Sequence, residues 1–230
     1  MDQSEQSGLE WRDGDVPVSL RFDDPYYSLD NGLAETRHVF LTGNDLPSRF
    51  HDGFHIAELG FGTGLNLLAA AQAWRDAGCA GQLRFTSFEA YPLSPDDMIK
   101  AQAAFPEVAE IALDLAPYWT GGALQIELPW LRFELVKGDA REMLPAWTEI
   151  ADAWFLDGFS PAKNPELWNE ALMAAVGQAT APGGTAATYT AAGFVRRGLE
   201  DAGFTVSRVP GFGRKRHMTR AVIGGADADE

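Results

Sequence analysis

From His55 onward the chain alternates short apolar runs with segments in which apolar residues recur every three or four positions. The first pattern predicts strands and the second amphipathic helices. His55 to Gly60 reads as a strand, Leu65 to Ala77 as a helix, and Leu83 to Glu89 as a second strand rich in aromatic and β-favouring residues. Ser94-Pro95-Asp96-Asp97 supplies a capping hydroxyl, a proline suited to the first helical position and acids for the first turn, so a helix should run to about Phe105, before Pro106. Leu131 to Lys137 is a third strand. Ala151 to Asp157 is a fourth, apolar as a buried parallel strand would be.

Asn164-Pro165 opens a further helix marked by Trp168, Leu172, Ala175 and Val176, and after Pro182-Gly183-Gly184 the segment Thr185 to Thr190 reads as a strand. Phe194, Val195, Leu199 and Ala202 share one face of the next helix, which Gly203 ends. Thr205 to Val209 and Met218 to Ile223 close the pattern as a hairpin whose turn holds Gly211 and Gly213. Strand-helix alternation of this kind implies an α/β, doubly wound, mostly parallel sheet. Residues 1–50 and the stretch from Pro106 to Pro129 read as additions to that core. The expected organisation is an extension over 1–50, a catalytic domain over 51–224 and an acidic tail over 225–230.

Composition narrows the class. A chain of 230 residues with 46% hydrophobic content can bury one sizeable core. A single cysteine, Cys79, cannot form an internal disulfide, and the four histidines lack the close spacing of metal ligands. The polar start of the chain is no signal peptide, and no apolar run is long enough for a membrane span, so a cytoplasmic protein without a resident metal or membrane partner is expected. The net charge of −15 would disfavour a polyanionic partner if it were spread evenly. It is not. Between Thr190 and Arg220 seven basic residues (Arg196, Arg197, Arg208, Arg214, Lys215, Arg216, Arg220) face two acidic ones, which suits guidance of an anion to one face.

The chemistry sits at the strand ends. Glu58-Leu59-Gly60-Phe61-Gly62-Thr63-Gly64 is a glycine-rich turn between the first core strand and its helix, where such sheets bind nucleotide-like ligands. Position 65 is Leu, so the dinucleotide fingerprint fails, and no Gly-Lys-Ser/Thr follows for a phosphate loop. Glu58 would repel a pyrophosphate and attract an ammonium group. S-adenosyl-L-methionine carries an ammonium and a sulfonium and no phosphate. Glu89, ending the second strand, suits two ribose hydroxyls, and Gly138-Asp139-Ala140, after the third, places Asp139 for an adenine amino group. Asp157-Gly158-Phe159-Ser160-Pro161 follows the fourth strand beside the expected acceptor position. There Asp157 suits orientation and deprotonation of an amine, with Phe159 and Trp168 excluding water.

Five ordered runs then carry a family resemblance: Asp30 to Arg37, Glu58 to Asn66, Trp154 to Pro165, Ala192 to Leu199 and Gly211 to Arg216. Over about Val16 to Ile223 the chain resembles the methyltransferase part of the bacterial tRNA 5-methylaminomethyl-2-thiouridine biosynthesis enzymes. The resemblance implies a Rossmann-like class I methyltransferase fold, with a seven-stranded, mostly parallel sheet, a closing antiparallel hairpin and an N-terminal extension. It implies methylation of the primary amine of 5-aminomethyl(-2-thio)uridine at the tRNA wobble position, with Asp157 beside the acceptor. The implied cofactor positions are Glu58, Gly60, Gly62, Gly64, Asn66, Glu89, Asp139 and Ala140, with Asn31 as a further contact unless the Asp30-Asn31-Gly32 segment is only a tight turn. Phe159, Lys163, Arg196, Arg197, Arg214, Lys215 and Arg216 would meet the anticodon region of tRNA. Many such enzymes continue into a flavin-dependent oxidoreductase that makes the aminomethyl precursor, for which a chain stopping at Glu230 has no room. It reads either as a stand-alone methyltransferase or as one piece of a fusion. Two rivals share these features, an aminopropyltransferase and a non-catalytic tRNA-binding module. The former would favour an acidic acceptor channel, and the latter is disfavoured by the intact loop, Glu89 and Asp157.

Overall fold

β4 (His55–Leu59) is buried at every position, and that burial puts it in the middle of a sheet. In the computed structural model, which describes residues 8–12, 16–28 and 31–224, β4 pairs in parallel with β5 (Leu83–Glu89) on one side and β8 (Ala151–Leu156) on the other. β7 (Leu131–Lys137) extends the parallel array beyond β5, and β9 (Thr180–Thr188) extends it beyond β8. β10 (Phe204–Pro210) and β11 (His217–Ile223) form the closing antiparallel hairpin, with β11 antiparallel to β9. The strand order is β10-β11-β9-β8-β4-β5-β7-β6.

Among the described residues the sheet therefore has eight strands rather than the expected seven. The additional one, β6 (Gln125–Glu127), pairs antiparallel with β7 at the edge. It lies in the stretch read as an addition, and three residues with one buried side chain, Ile126, leave no periodicity to detect.

Helices cover both faces. α2 (Leu65–Asp76), α3 (Pro95–Gln102) and α4 (Ala109–Thr120) pack over one layer, in which Trp74, Phe85, Phe133 and Phe155 are buried. A short α5 (Ala140–Met143), α6 (Glu170–Gln178) and α7 (Gly193–Asp201) pack over the other, around Trp154, Trp168 and Met173. Ser94 caps α3 as its sequence predicts, accepting from Asp97 N at 3.1 Å, with Pro95 at the first position. Two boundaries differ. The helix expected from Pro165 is a 3₁₀ turn, Pro165–Trp168, followed by α6, because Asn169 is extended and its side chain caps Leu172 N at 2.8 Å. β9 begins at Thr180, before Pro182-Gly183-Gly184, which bulges out of register against β8.

Residues before β4 form a three-stranded antiparallel sheet, β1 (Leu9–Arg12), β2 (Val16–Ser19) and β3 (Asp24–Pro25), then the short helix α1 (Gly32–Thr36) and a π-helical turn, Arg37–Leu41. Trp11 ties this sheet to α3 through Asp97 at 3.3 Å, with the Lys100 ammonium 3.9 Å from the indole centroid. Asp24 ties it to the loop after β8, accepting from Ser160 N at 2.8 Å. Asp30 and the acidic tail 225–230 lie outside the described residues. Among the described residues no helix is long and apolar enough to cross a membrane.

His55 shows how tightly the bottom of the sheet is specified. It is buried, its Nδ1 donates to the Ile150 carbonyl at 3.0 Å, and its Nε2 accepts from the Thr86 hydroxyl at 2.9 Å. Burial, then the nearby Arg84 charge, lowers its pKa to about 4 from 6.5. The stability contributed by the neutral ring is complete above about pH 6.5 and is lost as pH falls toward about 4. Melting curves of wild type and His55→Gln between pH 4 and 7 should converge at the acid end, because only the wild type loses this contribution, worth on the order of a few kcal/mol.

Candidate functional site

The parallel strands reverse their order of addition at β4, and the crevice outside their carboxyl ends is the place where open α/β sheets bind ligands. A cleft of about 1210 Å³ opens there, large enough for a nucleoside-sized ligand together with part of a second one. Its floor is the turn from β4 into α2. Gly60 has φ +89°, and a Cβ on it would lie 1.9 Å from the Asp157 carbonyl oxygen, so only glycine lets the ends of β4 and β8 approach this closely. Gly64, at φ +75°, precedes the first turn of α2.

Glu89 stands at the end of β5, accepting from Gly62 N at 3.1 Å and Tyr91 N at 2.8 Å, and burial raises its pKa. Asp139 and Ala140 also line the cleft. Asp139 caps α5 through Arg141 N at 2.9 Å and holds the Arg141 guanidinium, which together with that backbone bond lowers its pKa. Asn31 lies outside the cleft lining and caps α1, accepting from Ala34 N at 2.8 Å.

Asp157, directly after β8, lines the cleft from the opposite half of the sheet. Burial lifts its pKa to about 7 against the hydrogen bond from Asn66 and the Lys215 charge, which lower it. Asn66 donates to Asp157 Oδ2 at 2.7 Å and to Glu58 Oε1 at 2.8 Å. Glu58 itself is fully buried behind the wall of the cleft, with its second oxygen accepting from the Ser87 hydroxyl at 2.6 Å. Burial raises its pKa far above the ordinary range, and the neighbouring Asp157 adds to that. An ammonium ligand in the cleft would thus meet Glu58 only across Asn66.

The roof was not foreseen. Arg21, Phe22, Tyr26 and Tyr27 come from the segment around β3 and line the cleft. Phe22 stacks on Phe159 with centroids 4.7 Å apart, and Tyr26 meets Phe159 edge-on at 5.1 Å. The Arg21 guanidinium lies 4.2 Å from the Tyr91 ring centroid. The available signal was the closeness of Phe22, Tyr26 and Tyr27 in the sequence, since aromatic rings gathered in one short turn call for a surface to cover.

The basic candidates separate. Arg214 and Lys215, in the turn between β10 and β11, line the rim, whereas Arg216 is exposed beside it and Arg196 and Arg197 lie on α7 outside the lining. Lys215 pairs with Glu35 at 2.7 Å and sits 4.2 Å from the Tyr189 ring centroid. Lys163 lines the cleft but is held by the Asp23 carbonyl and by the Asp24 carboxylate at 3.5 Å.

Comparison with known proteins gives a consistent picture. Residues 105–223 match the model of a family described as S-adenosyl-L-methionine-dependent methyltransferase, which leaves the glycine turn outside the matched region. The chain is 48% identical, over 96% of its length, to 39% of the tRNA 5-methylaminomethyl-2-thiouridine biosynthesis bifunctional protein MnmC of Caulobacter sp. (strain K31). A protein of the same name from Vibrio cholerae (strain O395) is 48% identical over 91% of this chain and 34% of its own. The chain thus spans about two fifths or less of the length of these curated relatives. Among solved structures, MNMC2 from Aquifex aeolicus superposes with a TM-score of 0.77 at 27% identity, covering 96% of this chain and 72% of that one.

Proposed function

Because this chain belongs to the S-adenosyl-L-methionine-dependent methyltransferase family, we propose that it methylates the primary amine of 5-aminomethyl(-2-thio)uridine at the wobble position of tRNA, in the cytoplasm. The relatives' name describes a 5-methylaminomethyl product, and the N-methyl group of that product is what a methyltransferase module contributes. One observation carries the reading. A half-buried carboxyl with a pKa near neutrality, Asp157, faces the same cleft as the glycine turn and Glu89.

The residues fit the cofactor. Gly60 and Gly62 hold backbone where a Cβ would meet the Asp157 carbonyl or the Tyr26 ring, and Gly64 starts the helix behind them. Glu89 and Asp139 offer carboxylates and no phosphate-binding lysine stands on the turn, which suits a ligand with hydroxyls, an amine and positive charge. Gly60, Gly62, Glu89, Asp139 and Ala140 would hold it; Gly64 stands behind the lining, and the Asn66 amide is committed to Asp157, Glu58 and Thr36. When bound, S-adenosyl-L-methionine supplies an electrophilic methyl group. Asp157 orients the amine and accepts its proton, and a pKa near 7 lets it do so in neutral solution. Phe159, braced by Phe22 and Tyr26, excludes water from the acceptor side.

Arg214 and Lys215 at the rim, with Arg216 beside them, would meet anticodon phosphates, and Arg196 and Arg197 would meet RNA further out. Basic residues at the mouth disfavour a polyamine acceptor and hence the aminopropyltransferase reading. Neutralising Arg214, Lys215 and Arg216 together should weaken tRNA binding and reduce the slope of log K against log salt by about 2. Filter binding across a salt series checks this, and an unchanged slope would remove the cluster from the interface. The relatives are bifunctional, and we assign their second activity to a flavin-dependent oxidoreductase that supplies the aminomethyl acceptor. The direct test of the function combines labelled S-adenosyl-L-methionine with tRNA from cells lacking the final methylation. Label in 5-methylaminomethyl nucleosides is expected, and label elsewhere or nowhere rejects the assignment.

A further inference from the structure

Four elements converge behind Asp157. Asn66, in the first turn of α2, donates one amide hydrogen to Asp157 and the other to Glu58 at the end of β4. With both hydrogens committed, its carbonyl must face the Thr36 hydroxyl of α1, which donates to it at 3.0 Å. Glu58 is fixed in turn by Ser87 of β5 at 2.6 Å. Glu58 and Ser87 have no solvent exposure, and Asn66 and Thr36 are buried. A flipped Asn66 would set its carbonyl oxygen against the oxygens of Asp157 and Glu58, whereas the Thr36 hydroxyl can meet either end of the amide, so the two carboxyl groups select the orientation. The two N–H bonds of an amide diverge at a fixed angle, and anchoring one on Glu58 therefore aims the other.

We propose that Asn66 and Glu58 are positioning residues for Asp157: the amide, locked between two carboxyl groups and the Thr36 hydroxyl, holds Asp157 Oδ2 so that the carboxyl presents its other oxygen to the cleft. The proposal deepens the role given to Asp157 above and rests on it. It also accounts for a fully buried acid that no ligand can touch. The charged and titratable groups around Asp157 are Glu58 of β4, Glu35 of α1, Lys215 in the turn before β11 and the Tyr189 phenol after β9.

The test uses the full chain carrying ¹³C-carboxyl aspartate, with the Asp157 resonance assigned through Asp157→Asn, and compares wild type, Asn66→Ala, Glu58→Gln and Glu58→Leu. Glutamine at 58 can accept from Asn66 and donate to Ser87, so the geometry survives, and because Glu58 already titrates well above the ordinary carboxylate range the Asp157 midpoint should stay near 7, whereas Glu58→Leu, which takes the anchor from Asn66, should raise it. Asn66→Ala removes the donor, so the midpoint should rise. Its methyl-transfer kcat should fall about a hundredfold through misplacement of the carboxyl, with the Kd for S-adenosyl-L-methionine held in calorimetry. A midpoint that stays near 7 in Asn66→Ala would overturn the proposal, as would a loss of cofactor affinity in Asn66→Ala that accounts for the whole loss of rate. If Asn66→Ala does not fold, Glu58→Leu set against Glu58→Gln decides: a raised midpoint in the first alone supports the anchor, and equal midpoints overturn it. Midpoints that shift as stated in a protein that never methylates tRNA would support the positioning and reject the reaction.

Discussion

Asp157→Asn should lower single-turnover methyl transfer by about 10²–10⁴-fold while making the protein more stable in mildly alkaline solution. The first effect follows from the role proposed for Asp157, taking the amine proton. The second follows from the cost of keeping a carboxylate in a buried position. Its pKa is raised from 3.8 to about 7 in the folded protein, so the stabilisation from the neutral acid is complete below about pH 3.8 and is lost as pH rises through about 7. At pH 8 the wild type bears the full cost of the buried charge, on the order of a few kcal/mol, and an asparagine does not. Removing that charge also relieves Glu58, whose pKa Asp157 helps to raise, so both changes have the same sign. Melting temperatures at pH 8 should therefore favour the variant, and the difference should shrink toward pH 4. A variant that keeps near-normal turnover would exclude Asp157 from proton transfer, and one less stable at pH 8 would contradict the buried-charge account.

Gly60→Ala should be the most damaging single methyl group in the chain. Its φ of +89° strains any residue with a Cβ, and that Cβ would lie 1.9 Å from the Asp157 carbonyl oxygen. The neighbourhood cannot yield cheaply, because Gly60 N is bonded to Phe88 O at 2.9 Å and Asp157 N to Leu59 O at 3.0 Å. Relief requires prising β8 from β4 at the point where both halves of the cleft meet. Strain and overpacking together should cost about 2–5 kcal/mol, with loss of S-adenosyl-L-methionine binding in whatever remains folded. Gly62→Ala is the comparator. Its φ is +54°, but the nearest obstacle is the Tyr26 ring at 3.1 Å, a side chain able to shift. Urea unfolding and calorimetry on the two variants should rank them in that order, and equal stabilities would refute the backbone argument.

The parts of the fold that the sequence announced are those whose burial leaves a local pattern. β4, β5, β7 and β8 are short apolar runs between turn residues, and their observed bounds fall within a residue or two of those expected. α4 escaped because Pro117 lies inside it and prolines flank the stretch, although that proline falls in the last turn, where a helix tolerates it more readily. The roof escaped because its strands are two to four residues long and are held by partners far along the chain, such as Asp24 on Ser160. The site divides in the same way. Gly60, Glu89, Asp139 and Asp157 sit at strand ends, where position alone signals access to a ligand. The link from Glu58 through Asn66 to Asp157 has its longer step between Asn66 and Asp157, 91 positions apart, and depends on the register of β4 against β8. Lys163 lines the cleft as its sequence position suggests, and its ion pairs with Asp23 and Asp24, some 140 positions away, left no local signal.

The reversal of strand order at β4 has a consequence for how such an enzyme can diversify. The glycine turn, Glu89 and Asp139 all precede residue 140, whereas Asp157, Phe159, Tyr189, Arg214 and Lys215 all follow residue 156. The residues proposed for the donor and for the acceptor thus fall in consecutive stretches of the chain, one on each flank of β4, and they meet where Gly60 approaches the Asp157 carbonyl and where Asn66 donates to Asp157. Drift or recombination in the second stretch can try new acceptors without rewriting the first, provided that these contacts around Asp157 are kept.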